Sequence, residues 1–160
     1  MLDTVSIERR PATDGDEEFL YEVYAGTRDV EMALVDWDDA QKADFLRMQF
    51  RAQHSFYHAQ FPDAAYDVLM EGERPIGRLY LDRRVDEIRV LDIALLAEHR
   101  NKGIGTALIR AIMDEASSRC LPVTLNVEVF NPARQLYERL GFVPVQNDGI
   151  YLLLKWNSTQ

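Results

Sequence analysis

Residues 97–116 read "AEHRNKGIGTALIRAIMDEA", and this stretch limits the fold more than any other in the chain. An apolar segment ends at Leu96 and a loop with Gly103 and Gly105 follows. Ala107, Leu108, Ala111, Ile112 and Glu115 then keep the i, i+3/i+4 rhythm of a helix over residues 103–118, apolar until its end. A strand running through a glycine turn into a helix belongs to a mixed α/β layer fold. A helix start exposes N–H groups without acceptors and carries about half a positive charge. Glycine lets successive N–H groups converge and removes the Cβ that would keep an anion away. Arg100 and Lys102 add local positive charge to a chain with 27 acidic and 18 basic side chains, net −9. The combination predicts a phosphate cradle, best suited to a pyrophosphate. It is neither a G-x-x-x-x-G-K-[ST] loop nor a G-x-G-x-x-G fingerprint, since Leu108 stands at the third glycine position. Taken alone, the same glycines also suit a turn that only packs a helix onto a strand.

The rest of the chain supplies the other parts of one sheet with helices. "TVSIERRPA" (residues 4–12) reads as a strand ended by Pro11. "DGDEEFLYEVYAGTR" spaces Phe19, Leu20, Val23 and Tyr24 as a helix with acids in its first turn. Residues 38–61 form a second, long helix with Phe45, Leu46, Met48, Phe50, Phe56 and Tyr57 as apolar positions, and Asp38 or Asp39 as N-cap. Residues 65–84 have the signature of a hairpin turning at "EGERP", and "EIRVLDIALL" suits a central strand. "PVTLNVEVF" is a further strand, "NPARQLYERLGF" a short helix closed by Gly141, and "YLLLKW" a last strand. The order is β-α-α-β-β-β-α-β-α-β, with an extra strand at residues 142–145. The 160 residues suit a single domain with its own core.

Charge and composition exclude several functions. Residues 1–50 hold 13 acids and 5 bases, so the acidity is concentrated there. No broad basic surface is expected for nucleic acid; the acidic N-terminal third reads first as a set of solvated helix faces, with attraction of a cationic partner as the alternative. No apolar run approaches the ~20 residues of a membrane span, and residues 1–10 lack the pattern of a signal peptide. The one cysteine, Cys120, reads as a packing residue, and a reducing cytoplasm fits best. His54 and His58 have a metal-compatible i, i+4 spacing but no evident third ligand, so no metal is expected. His99, beside the glycine loop, is expected at the surface.

"R-N-K-G-I-G-T-A-L" at residues 100–108 resembles the [Q/R]-x-x-G-x-[G/A] motif of the GNAT superfamily of acyl-CoA N-acyltransferases. "NPARQLYERLGF" at residues 131–142 resembles that superfamily's later helix, with its Leu-Tyr and final Gly-Phe. The resemblance covers essentially the whole chain in element order, with its specific motifs in residues 87–142. Two departures stand out. Ala97 occupies a position where proline is common, and Asn131 lies six residues before Tyr137, where many members have seven. The resemblance implies a mostly antiparallel sheet with helices on both faces and a central parallel strand pair that splays apart. It implies acetyl-CoA as acyl donor, with CoA as product. Its pyrophosphate would sit on the amides of Arg100, Asn101, Lys102, Gly103, Ile104, Gly105 and Thr106. Its pantetheine arm would run along Ile93, Ala94 and Leu95, with the Leu95 N–H facing the thioester oxygen and Asn131 contacting the cofactor. The resemblance also allows a homodimer.

Acyl transfer to an amine requires loss of the amine proton, stabilisation of an oxyanion and stabilisation of a departing thiolate. Tyr137 is the candidate acid at the thiolate, a role that the resemblance places near the sulfur. The bare chemistry is less favourable, since a phenol near pKa ~10 donates uphill to a thiolate near ~8.5. Hydrogen bonding to sulfur then weighs more than full proton transfer, and a purely packing role for Tyr137 stays open. Glu128, on the strand face shared by Asn126 and Phe130, is the first candidate base, although the one-residue shortening puts the corresponding family position nearer Asn126, and a solvated or ion-paired strand residue is an equal reading of it. Asp92, an acid inside an apolar strand, is a second candidate base or a structural hydrogen-bond partner. The expected activity is direct acetyl transfer to a primary amine on a small molecule, peptide or protein. Residues 24–37 and 45–61 would form the acceptor walls, their acids and aromatics favouring a cationic or amphipathic amine. A non-catalytic acyl-CoA-binding module and an unrelated α/β nucleotide-binding protein are the alternatives.

Overall fold

The computed structural model describes residues 6–158. The elements are β1 (Ile7–Pro11), α1 (Glu17–Thr27), α2 (Asp29–Met32), α3 (Asp39–Gln60), β2 (Ala65–Glu71), β3 (Arg74–Arg83) and β4 (Ile88–Leu95). They continue with α4 (Ile104–Ser118), β5 (Val123–Glu128), α5 (Ala133–Arg139), β6 (Val143–Asn147) and β7 (Tyr151–Trp156). The strands form one seven-stranded sheet in the order β1-β2-β3-β4-β5-β7-β6, with helices on both sides. The β4 and β5 pair is parallel, matching Ile88 to Val123, Arg89 to Thr124 and Val90 to Leu125. The pairs β1 with β2, β5 with β7 and β6 with β7 are antiparallel.

The expected element order holds, including the extra strand, seen as β6. Thr4 and Val5 of the first expected strand lie outside the described residues. Of the two candidate caps for α3, Asp38 does the work: its side chain accepts from the Gln41 N–H at 2.8 Å, and the Gln41 side chain accepts from the Asp38 N–H at 3.0 Å. The hairpin turns at Gly72, whose φ of +63° suits glycine, and Pro75 lies inside β3 and not in the turn. The sequence pattern gives no hint of α2, a single turn of four residues.

The chain divides into two compact units. One contains residues 1–79 and 93–100, the other residues 80–92 and 101–160. In the first, Leu20, Tyr24, Met32, Leu46, Phe50 and Val68 form a buried cluster. Each such apolar side chain, once out of water, contributes about 1.5–3 kcal/mol before the entropy of ordering it. Phe56 and Met48, read as apolar face positions of α3, are more than half exposed. In the second unit α4 buries Leu108, Ile109, Ile112 and Ala116, while Ala107 and Ala111 face solvent. The buried stripe is thus set by the large aliphatic side chains and is shifted from the expected one. Cys120 is also corrected: it is exposed and takes φ +57° just past the end of α4, a chain-reversal position and not a packing one.

Candidate active site

The loop between β4 and α4 is built as the glycines require. Asn101 and Gly103 adopt left-handed backbone angles, with φ of +60° and +84°, and Gly103 is the N-cap of α4. The helical ladder starts with the Ala107 N–H donating to the Gly103 carbonyl at 3.0 Å. The N–H groups of Ile104, Gly105 and Thr106 therefore precede the first rung, at the positive end of a 15-residue helix. A Cβ built on Gly105 meets nothing within 4 Å, so the space beside this residue is open. Three N–H groups ahead of the ladder, at the positive end of a helix, fit a phosphate group. Asn101, Lys102 and Gly103 are exposed around them.

Arg100 differs from its expected place in that row. Its N–H donates to the Ala97 carbonyl at 3.2 Å, so that amide is engaged within the loop. Its side chain turns back toward β4, where Nε donates to the Leu95 carbonyl at 3.1 Å. Beside it, His99 is buried, not exposed, and among the described residues its Nε2 has no hydrogen-bond partner.

The end of β4, which carries Ile93, Ala94 and Leu95, is pressed against β3. A Cβ on Gly77 would stand 2.4 Å from the Ala94 carbonyl oxygen and 3.1 Å from the Leu95 Cα, so only glycine admits this approach. The Leu96 N–H donates to the Ile76 carbonyl at 2.9 Å. Gly77 was not singled out from the sequence, although an isolated glycine within a strand is the usual sign of such close backbone contact.

In the second unit, Tyr137 on α5 is buried, with its ring edge-on to Phe142 at 5.9 Å. Burial first, and the nearby Asp92 carboxylate second, push its phenol up to about 12. The structure thereby brings together two residues singled out separately, Tyr137 and Asp92. Glu128 is exposed at the end of β5, paired across the ladder with Tyr151. Its carbonyl accepts from the Asn131 N–H at 3.0 Å. The Asn131 side-chain oxygen accepts from the Ala133 N–H at 2.9 Å and so caps the start of α5. Any contact of Asn131 with a cofactor therefore falls to the NH2 end of its side chain. The His54 and His58 rings lie 4.4 Å apart, with His58 stacked on Tyr66 at 4.1 Å. Among the described residues no three His, Cys, Asp or Glu side chains gather as a metal site, and no helix is long and apolar enough to cross a membrane.

Comparisons with known proteins agree with the fold. The PaiA N-acetyltransferase of Thermoplasma acidophilum, solved in complex with coenzyme A, superposes with a TM-score of 0.71 at 19% identity, covering 96% of this chain and 99% of that one. An acetyltransferase from Thermus thermophilus gives 0.68 at 16% identity, over 96% and 97% of the two chains. Ard1 from Thermoplasma volcanium gives 0.61 at 19% identity, over 98% and 100%. These likenesses establish the fold. No curated protein matches the sequence. The model of the acetyltransferase (GNAT) family matches residues 28–142, and the chain belongs to that family.

Proposed function

We propose that this protein transfers an acetyl group from acetyl-CoA directly to a primary amine, with the 160 residues acting as one N-acetyltransferase domain in the cytoplasm. The observation that carries this reading is the start of α4. There, the Ile104, Gly105 and Thr106 N–H groups precede the first rung of the helical ladder, and a Cβ on Gly105 would meet nothing within 4 Å. These amides, with Asn101, Lys102 and Gly103 around them, would hold the pyrophosphate of the donor. A relative of the same fold solved with coenzyme A supports that choice of ligand. Bound there, acetyl-CoA would supply an activated thioester.

The chain's own groups then have separate tasks. Ile93, Ala94 and Leu95 would lie along the pantetheine arm, and the Leu95 N–H would donate to the developing oxyanion. Tyr137, with its phenol near 12, stays protonated at neutral pH. Full transfer of its proton to a thiolate of pKa ~8.5 would cost roughly 5 kcal/mol, so it would act as a hydrogen-bond donor to sulfur. The nearby Asp92 opposes phenolate formation and suits that role. Glu128 is the first candidate to accept the amine proton, its exposure leaving it accessible to substrate and water. Asn131 would contact the cofactor through its amide NH2.

The acceptor is a cationic amine. Support comes from residues 28–39, where exposed Asp29, Glu31, Asp36, Asp38 and Asp39 alternate with exposed Val30, Leu34 and Trp37. Such a surface attracts positive charge and offers apolar contact to a carbon chain. Thermal shifts with acetyl-CoA, CoA, ATP and NAD side by side test the reading. A ligand at 100 times its Kd stabilises by ~2.7 kcal/mol. The two CoA species alone should raise the Tm, and thiol release should follow on addition of a diamine or a basic peptide. A shift with ATP or NAD alone would overturn it, and a CoA shift without turnover on any amine would point to a binding module.

A further inference from the structure

We propose that Arg100 is a positioning residue whose side chain holds the Leu95 carbonyl, so that the Leu95 N–H is presented on the edge of β4 that faces away from β3. Along a β-strand, each residue directs its N–H and C=O to one side, and the next residue to the other. The Leu96 N–H donates to Ile76 on β3, and the Ala94 carbonyl is pressed toward Gly77 on β3. Residues 94 and 96 thus face β3, and Leu95 between them faces the opposite way with both its polar groups. Trans peptide geometry gives the same result, because the N–H of Leu95 is anti to the carbonyl of Ala94.

Strand β3 therefore holds the peptides on either side of Leu95 from one edge only. The other edge is held by Arg100, whose Nε donates to the Leu95 carbonyl at 3.1 Å. The guanidinium is itself located by α1. A Cβ on Gly26 would stand 3.4 Å from Arg100 Nη2, so the helix backbone provides the wall against which the side chain rests. Gly26 is the penultimate residue of α1, and a cation near a helix C-terminus is favourably placed. Residue 100 thus acts through Leu95 and not on phosphate: it fixes the direction of a backbone donor. Its effect on turnover rests on the acetyl-transfer reading, while its effect on the backbone does not.

Two isosteric substitutions separate the hydrogen bond from the charge. In Arg100→Gln the amide nitrogen occupies the place of Arg Nε, so the donor stays and the charge goes. In Arg100→Met a methyl group occupies that place, and both are lost. The expected result for Arg100→Met is a fall in kcat of about 10- to 100-fold, the scale of a small misplacement at a reacting centre. KM for acetyl-CoA and the CoA thermal shift should stay within about twofold of wild type, and Arg100→Gln should recover most of the loss. Amide hydrogen exchange at Leu96 in the ligand-free protein supplies a readout independent of activity: faster in Arg100→Met, near wild type in Arg100→Gln. Equal losses in both variants, appearing in KM and shrinking with added salt, would overturn the proposal in favour of phosphate attraction. Unchanged exchange and turnover in both would overturn it outright. Inactive wild-type protein with no CoA shift would remove the proposed function, and the exchange comparison would still decide the role of Arg100.

Discussion

Gly77 and Ala94 approach so closely that a methyl group on the first would stand 2.4 Å from the carbonyl oxygen of the second. No flexible side chain can yield there, because the obstacle is backbone. Gly77→Ala should therefore push the end of β4 off β3 and weaken the Leu96 to Ile76 hydrogen bond. The expected cost is about 1–3 kcal/mol, typical of overpacking a tight site, read as a lower urea midpoint at unchanged m. Since Leu95 moves with Ala94, acetyl transfer should fall by more than the folded fraction does. A variant of wild-type stability and activity would show that the strands separate without consequence.

Tyr137 makes a prediction about alkaline pH. Its phenol titrates near pH ~10 in the unfolded chain and is pushed up to about 12 in the fold, by burial and then by Asp92. The folded state thus favours the neutral form. The associated stability is whole below about pH 10 and is lost as the pH rises through about 12. Phenolate absorbance should show one tyrosine titrating after the exposed ones, and Tyr137→Phe should remove that late step. Under the acetyl-transfer reading, the same variant should lower kcat on the order of 10- to 100-fold, no more than the low end for proton-handling side chains, with KM for acetyl-CoA little changed. Unaltered kcat would leave Tyr137 a packing residue.

The sequence made the scaffold legible where a pattern repeats over several turns or strand residues. Strands β2 to β5, helices α1, α3 and α4, and the glycine loop follow from period and turn chemistry alone. Single-turn α2 is too short to show a period. His99 and Cys120 were misjudged for a shared reason: exposure at a helix end or loop depends on what packs there, and nothing in "AEHRN" or "SSRCLP" encodes it. Arg78 is the sharper case. An arginine on an alternating strand reads as solvent-facing, yet it is buried in β3, with its guanidinium donating to Gln53 at 2.9 Å and lying 6.0 Å from the Tyr24 ring. Likewise the turn of the Arg100 side chain to Leu95 depends on the spatial place of α1, which local sequence does not carry.

Asp16 should set part of the acid stability. It is buried in the turn before α1, receives two hydrogen bonds from Arg10 at 2.7 and 2.8 Å, and accepts the Thr13 N–H at 2.8 Å. The Arg10 bonds come first among the causes that hold its carboxyl far below the ordinary range, against the opposing effect of burial. A depressed carboxylate contributes stability that is present above about pH 4 and is lost as the pH falls through its folded value. Asp16→Asn should cost about 2 kcal/mol at pH 7, the scale of charge-assisted hydrogen bonds. The gap between wild type and variant, followed by urea unfolding, should narrow steadily below pH 4. A gap that does not change with pH would mean that shape, not charge, holds this turn.

Gly105 separates the fold from the ligand most cleanly. A Cβ there meets nothing within 4 Å, and the residue lies inside the first turn of α4 with no positive φ. Gly105→Glu should therefore leave the fold intact or stabilise it, by up to about 1 kcal/mol, because glutamate has the higher helix propensity and suits the positive end of a helix. The same carboxylate would stand beside the Ile104, Gly105 and Thr106 amides, where the pyrophosphate is proposed to sit, and would repel it. The CoA thermal shift should then fall sharply while the ligand-free Tm holds or rises. Gly103 is the contrasting control, since its φ of +84° makes any side chain there strained and its replacement should lower the Tm without ligand. Gly105→Glu with full CoA binding would place the phosphates elsewhere and reduce the glycine loop to a packing turn.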